Sequence, residues 1–360
     1  MAVALLTNNL VPYRVPLYER LAADEEVEVL CWGGGRYLPS WFGDLDAQLR
    51  AARFPARRIR GAADAFAAGR RYDTVIATYA GGSILPAAYA GARAGGHGFV
   101  LWASIWARPR SLANDVAVPA TRWIYRHADA LVAYGEHARR FAADIRGRDT
   151  DIFIAPQSVE DMFRREVTPT ETAAFRDAHS IPDGPVVLYA GRLVAEKGLA
   201  VLASAWSQVR RPATLVLVGD GPLRDRLEGL PRVMMLGPLA RAELPAAYRA
   251  ARVTVLPSIP TPRFREPWGL VCNESLHQGT PVIATTAVGA VAGGLVRDGE
   301  SGQVVAPGDP SSLAAAIDRL LADPDRARHL GEAGRRVAQA YTYPAMAAAF
   351  AQALALARRR

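Results

Sequence analysis

Short apolar runs alternate with helix-length amphipathic stretches along this whole sequence, and no other feature narrows the possible folds as much. In the first half the strand-like runs are residues 3–8, 27–32, 74–79, 99–104, 131–134 and 152–155. Helical patterns lie between them at 12–23, 84–94, 112–127 and 137–145. In the second half the runs are 186–190, 215–218, 233–236, 253–256, 281–284 and 302–305, most of them also separated by helices. Strands joined by helices of this length form crossover units, so the pattern predicts an α/β protein with mostly parallel sheets.

A chain of 360 residues is long for one small domain. Two sheets of about six strands suit it better than one very wide open sheet. The weakest stretch between the halves is 156–184, which holds Pro169, Pro182 and several charges, and a hinge is expected there. The expected division is a first Rossmann-like domain over 1–160 and a second over 161–342. A last helix over 343–360 should pack back across the seam, with Arg358 to Arg360 solvated at its end. Ligands of such sheets bind at the carboxyl ends of the strands, and two facing sheets would enclose a deep cleft.

Half the residues are apolar and 22% are charged, as in an ordinary soluble globular protein. The formal charge of +8 is carried mostly by arginine. It fits an arginine-rich coding background first, with attraction to a nucleotide diphosphate, an acidic acceptor or an anionic membrane surface as the functional alternative. Nucleic-acid binding has only this charge in its favour, since basic and aromatic residues interleave on no recognisable module. The two cysteines, Cys31 and Cys272, are isolated and argue against a disulfide framework and a structural zinc site. The sequence opens on a strand without a basic leader, and no apolar run reaches the ~20 residues of a membrane span. The expectation is a cytoplasmic protein, with room for peripheral contact at the inner face of a membrane.

Chemistry-bearing residues gather at the ends of predicted strands. Glu266 and Glu274 stand eight positions apart in Glu266-Pro-Trp-Gly-Leu-Val-Cys-Asn-Glu274, after the strand that ends in Leu256-Pro-Ser258. A helix is expected to open near Trp268-Gly269, where its first amides suit phosphate while the flanking carboxylates accept from hydroxyls. Phosphate donors beside hydroxyl acceptors describe a sugar-nucleotide site. The strand 186–190 runs into Gly191-Arg-Leu-Val-Ala-Glu-Lys-Gly198. Gly191 allows a sharp turn, and Arg192 and Lys197 offer two cations able to clamp a diphosphate and stabilise a leaving group. A plain surface loop with Glu196 paired to one of those cations explains the stretch equally well. Gly219-Asp-Gly-Pro222 is weak evidence alone, usually just a tight strand-to-helix turn. Backbone groups around Gly237-Pro238 could read a nucleobase edge, although a plain loop accounts for them too.

In this order and spacing, these fragments resemble the retaining glycosyltransferases of family 4, which have the GT-B architecture. The resemblance rests on Gly191-Arg192-Leu193 with Glu196-Lys197-Gly198, Gly219-Asp220-Gly221-Pro222, Leu256-Pro257-Ser258, the paired glutamates and Gly279-Thr-Pro-Val-Ile-Ala-Thr285. It covers the second half from Val186 to Tyr343 and the first half less clearly. It implies that Arg192 and Lys197 hold the donor diphosphate, with Lys197 neutralising the departing nucleoside diphosphate. Glu266 would bond hydroxyls of the donor sugar, Gly269 and Leu270 would offer amides, and Glu274 would accept from the ribose. Gly191, Gly219 and Pro238 would complete the donor site. It implies no cofactor and no metal, the cations and amides doing the work of a divalent ion; Asp44-Leu-Asp46 fits a metal motif formally but lies in an arginine-rich connection.

The first half would then hold a hydroxyl acceptor: a saccharide, a lipid-linked glycan or a natural product. After its first strand come Asn8, Asn9, Tyr13 and Arg14, where many relatives have a glycine-rich loop. Another departure is the missing histidine after the strand 99–104. Trp102, Ser104, Trp106 and Arg108 stand there instead, the tryptophans suited to stacking on a pyranose face. His137 sits at a correct strand end and His97 at the wrong one. Three rivals remain: a sugar-nucleotide epimerase on the same scaffold, a non-catalytic nucleotide-sugar binding protein and a nicotinamide oxidoreductase. The last wants Gly-x-Gly-x-x-Gly after the first strand, which Asn8-Asn9-Leu10-Val11-Pro12 does not supply.

Overall fold

The computed structural model describes residues 2–33, 44–79, 82–109 and 112–359. The chain divides into two compact units, residues 1–157 with 342–360, and residues 158–341.

The first unit is built on β1 (Val3–Thr7), β2 (Val27–Cys31), β3 (Ala56–Arg58), β4 (Thr74–Thr78), β5 (Gly98–Ala103), β6 (Ala130–Ala133) and β7 (Ile152–Ile154). Their order is β3-β2-β1-β4-β5-β6-β7, and every pairing is parallel. β1, β4, β5 and β6 are buried at every position, which is why they read as unbroken apolar runs. The sequence reading missed β3. It is a three-residue edge strand containing two arginines, and Arg57 Nε bonds Glu28 Oε1 on β2 at 2.9 Å. An edge strand that short and polar carries no apolar signal.

The helix Tyr343–Ala357 belongs to this unit. Thr342 caps it, Phe350 packs edge-on against Trp102 at 4.9 Å between ring centres, and the Tyr343 hydroxyl donates to the Tyr13 carbonyl at 2.6 Å. Its alanine and leucine content is the composition of a helix buried along one side. Arg358, expected to be solvated, instead pairs with Glu25 at 2.7 Å.

The second unit contains β8 (Val186–Ala190), β9 (Thr214–Val218), β10 (Val233–Gly237), β11 (Val253–Leu256), β12 (Val282–Thr285) and β13 (Gly302–Val305). The order is β10-β9-β8-β11-β12-β13, again wholly parallel. Alternate residues of β8 and β9 enter different cores, as the two-residue period of a strand requires. Val187 and Tyr189 join Leu202, Trp206, Leu320 and Leu330. Val186, Leu188 and Ala190 join Phe163, Phe175 and Tyr248. Where a weak hinge was expected, residues 158–184 supply Val159, Phe163, Phe175 and Ile181 to that second core. They also form the helices Asp161–Arg164 and Pro169–Ala178. Pro169 sits in the first turn of its helix, where its missing N–H costs nothing.

Both sheets reverse their strand order once, between β1 and β4 and between β8 and β11. The carboxyl ends beside such a reversal are where open α/β sheets bind ligands. Among the described residues, no helix is long and apolar enough to cross a membrane.

Candidate active site

In the second unit the reversal places the loop after β8 against the chain leaving β11. Ala195–Lys197 forms a single 3-10 turn closed by Gly198 at φ +72°. A Cβ at Gly198 would overlap the Pro257 carbonyl, so only glycine lets the Lys197 turn seat on the end of β11. There Lys197 Nζ donates to Glu266 Oε2, and Ser258 Oγ donates to the same oxygen at 3.1 Å. The Lys197 and Glu266 side chains are only 14% and 9% exposed. The Gly289 amide donates to the Glu266 carbonyl at 3.1 Å, which fixes the backbone beneath the carboxylate. The result is a cation, a carboxylate and a hydroxyl in a nearly dry setting, where charge-assisted bonds are strong.

Arg192 stands one turn away, with Nη2 3.9 Å from Glu196 Oε1. The surface-loop alternative is thus met in part, since Glu196 does partner a cation, and Lys197 is left to Glu266. The Gly219 turn does more than connect. Gly191 N bonds Val218 O at 2.9 Å and Gly219 N bonds Gly237 O at 2.8 Å, and a Cβ at Gly219 would overlap the Gly191 carbonyl. These bonds lock the ends of β8, β9 and β10 together, with Pro238 exposed just beyond. Residues 259–265 fold back on the Lys197 turn. The Ile259 amide donates to Glu196 O at 3.0 Å, and the Phe264 ring centre lies 6.0 Å from Lys197 Nζ.

The helix expected near Trp268-Gly269 opens later, as Val271–His277 with Leu270 as its cap. Gly269 is left-handed at φ +92°, so it cannot be part of the helix. Trp268 is buried and bonds Asn273 Oδ1 at 2.7 Å. Glu274 projects from this helix and is 5% exposed. Tyr248 hydroxyl donates to Oε2 at 2.6 Å and Arg241 Nη2 to Oε1 at 3.2 Å. Arg241 also bonds both oxygens of Glu160, at 2.6 and 2.7 Å. Burial pushes the Glu274 carboxyl above its ordinary value, with Arg241 and Tyr248 opposing. Sequence reasoning missed Arg241, Tyr248 and Glu160. Nothing in their local pattern marks them, because their meeting depends on three distant stretches of chain converging on the helix that carries Glu274.

In the first unit Tyr13 and Arg14 share the 3-10 turn Pro12–Arg14. Arg14 donates to the Tyr134 hydroxyl and lies 4.5 Å from the Trp102 ring centre and 5.7 Å from those of Tyr13 and Tyr134. Trp102 is 1% exposed, so the expectation that it stacks on a sugar fails; it is a core residue between Arg14 and Phe350. Trp106 meets His137 edge-on at 5.1 Å, and His137 is buried. Asn9 is also buried, Ser104 half-buried and Arg108 exposed. His97 lies 3.2 Å from the Arg70 carbonyl, away from these residues. Asp44 caps the helix Leu45–Ala51 and Asp46 pairs with Arg58 at 2.9 Å, local duties that account for both carboxylates.

Residues 184–323 match the family model for glycosyl transferases group 1. The chain is 30% identical over 241 residues to alpha-D-kanosaminyltransferase of Streptomyces kanamyceticus, a match covering 62% of this chain and 60% of that protein. It is 33% identical over 252 residues to D-inositol 3-phosphate glycosyltransferase of Xylanimonas cellulosilytica, covering 65% and 58%. The chain thus spans about three fifths of the length of these curated relatives. The crystal structure of Anabaena Alr3699/HepE in complex with UDP and glucose aligns with a TM-score of 0.80 at 20% identity, over 99% of each chain. At that identity the likeness speaks for the fold alone, two parallel-sheet Rossmann-like units of the GT-B kind. Fold and family model agree, and the chain carries a glycosyl transferases group 1 domain.

Proposed function

We propose that this protein is a glycosyltransferase that moves a sugar from a nucleoside-diphosphate sugar to a hydroxyl acceptor, with retention and without a metal. The observation that carries the reading is the buried Lys197–Glu266–Ser258 cluster at the strand-order reversal of the group 1 domain. In a donor complex Lys197 exchanges Glu266 for the diphosphate, with Arg192 beside it. Glu266 is then released to accept from sugar hydroxyls. Gly269 and Leu270 offer amides ahead of the helix Val271–His277, Glu274 receives the ribose, and the turns at Gly191, Gly219 and Pro238 frame the nucleotide. The bond from the anomeric carbon to the phosphate oxygen breaks as the acceptor oxygen bonds the same face, and the acceptor proton passes to the departing phosphate. Positioning and charge stabilisation supply the rate.

In this reading the first unit takes the acceptor, through Asn9, Tyr13, Ser104, Trp106, Arg108 and His137. Arg14 serves them indirectly, by fixing Tyr134. The solved neighbour bound to UDP-glucose makes that the first donor to try. Saccharides, lipid-linked glycans and polyols are the acceptor classes to screen, and the inositol-phosphate enzyme among the relatives favours including polyols.

The test is a metal-free panel of nucleoside-diphosphate sugars, read by thermal shift and by release of the free nucleoside diphosphate. One donor should stabilise the protein and be slowly hydrolysed. Lys197→Ala should cut that turnover by about 10²–10³-fold, the usual loss when one stabiliser of transition-state charge is removed. If no nucleotide shifts the melting temperature, the donor site is misassigned and the transferase reading goes with it. Conversion of the donor sugar without an acceptor would put an epimerase in its place.

A further inference from the structure

Glu274 is held by an unusual arrangement. The Arg241 guanidinium gives Nε and Nη2 to the two oxygens of Glu160 and shares Nη2 with Glu274 Oε1. One cation therefore holds two carboxylates that would otherwise repel. Its Cζ lies 4.9 Å from the Phe163 ring centre, and Phe163 is fully buried. On the other side, Tyr248 donates to Glu274 Oε2 and is itself fully buried, its carbonyl accepting from Thr280 Oγ1 at 2.7 Å. Each Glu274 oxygen is thus anchored on one lone pair by a group that cannot move freely. A carboxylate offers about four acceptor positions, so two remain for a ligand. Two adjacent acceptors match the neighbouring hydroxyls of a ribose.

Resting on the donor role proposed for Glu274, we infer that Arg241, clamped by Glu160, is a positioning residue. It keeps Glu274 ionised and oriented, and so makes the site select ribonucleoside over 2′-deoxyribonucleoside diphosphates. Without Arg241, Glu274 would sit buried beside an unneutralised Glu160, and protonation would turn one acceptor oxygen into a donor. Lysine would keep the charge but lose the planar fork that reaches both carboxylates. A site built to bond a ligand hydroxyl rejects the analogue lacking it, because its own polar groups are left unpaired.

The experiment is calorimetric titration of the full chain with UDP and 2′-deoxy-UDP, and with the matching GDP and ADP pairs. Wild type should prefer the ribonucleotide of the base it binds by about tenfold or more. Arg241→Gln should bring that ratio to within about twofold, and Arg241→Lys and Glu160→Gln should fall between. A purely structural role would weaken both ligands alike and leave the ratio intact, and that result overturns the inference. Equal affinity of wild type for both members of a pair also overturns it, while leaving the donor site standing. No binding of any nucleoside diphosphate removes the inference together with the donor assignment. If Arg241→Gln does not fold, Arg241→Lys and Glu160→Gln decide by the same ratio.

Discussion

At the carboxyl ends of β8 and β11, the second unit sets charge against charge: Lys197 on Glu266, and Arg241 between Glu160 and Glu274. The first unit has the same parallel sheet with one reversal, yet its cation there is handled otherwise. Arg14 lies among the rings of Trp102, Tyr13 and Tyr134, and donates to the Tyr134 phenol. The two solutions differ in what a ligand can do to them. A cation on a carboxylate can trade that partner for a phosphate at little electrostatic cost. A cation packed on aromatic faces cannot leave without opening a core. The same architecture therefore offers an exchangeable charge in one unit and a structural one in the other, and fold alone does not distinguish them.

The sharpest way to break that comparison is to remove the ring that Arg14 rests on. Trp102→Ala should cost about 3–5 kcal/mol, as truncation of a buried tryptophan does, measured by urea denaturation. Nucleotide affinity, which the proposed function assigns to the second unit, should hold as long as the protein stays folded. A loss under about 1 kcal/mol would mean that the rings around Arg14 are not a core, and the contrast would fall.

Next in size is an acid sensitivity specific to the second unit. His277 ends the helix that carries Glu274 and is 3% exposed. Burial, reinforced by Arg164 and Arg335, lowers its pKa from 6.5 to about 4. The folded protein keeps the imidazole neutral while the unfolded chain takes up a proton below pH 6.5. The stabilisation is therefore complete above that pH and is lost as the pH falls toward 4, by on the order of 2–3 kcal/mol. Urea midpoints measured from pH 7.5 to 4.5 should show this decline, and His277→Phe should flatten it. An unchanged slope in that variant would assign the decline to other groups.

What could be read in advance follows from the range of the forces involved. The strands other than β3 were legible because each is a mostly apolar run, and their parallel pairing follows from the helices between them. That Lys197 and Glu266 meet was legible because each lies in the chain leaving a strand, and the reversal of strand order brings those two strand ends together. Arg241, Glu160 and Tyr248 were not, since they lie 33, 114 and 26 positions from Glu274, in the connection after β10, just before the helix Asp161–Arg164 and in the helix Leu244–Ala250. Trp102 was misread for a related reason. On a strand buried on both faces, alternation says nothing about which side chain reaches a surface. The late helix start came from Gly269, whose left-handed backbone is a local choice that composition does not dictate.

The smallest effect concerns residues 158–184, expected as a hinge and found inside the second unit. Thr168 and Glu171 form a reciprocal cap at the start of the helix Pro169–Ala178. Thr168 Oγ1 accepts from the Glu171 amide at 3.2 Å, and Glu171 accepts from the Thr168 amide at 2.8 Å. Phe175 of that helix belongs to the core that also holds Tyr248, the partner of Glu274. Losing the cap should therefore reach global stability instead of merely fraying an exposed loop. Thr168→Ala should cost about 1 kcal/mol in urea denaturation, with nucleotide affinity unchanged. Thr168→Ser, which keeps the capping oxygen, should restore most of it. If neither substitution moves the denaturation midpoint, this helix folds and unfolds apart from the core, and the stretch is the weak connector that its prolines suggest.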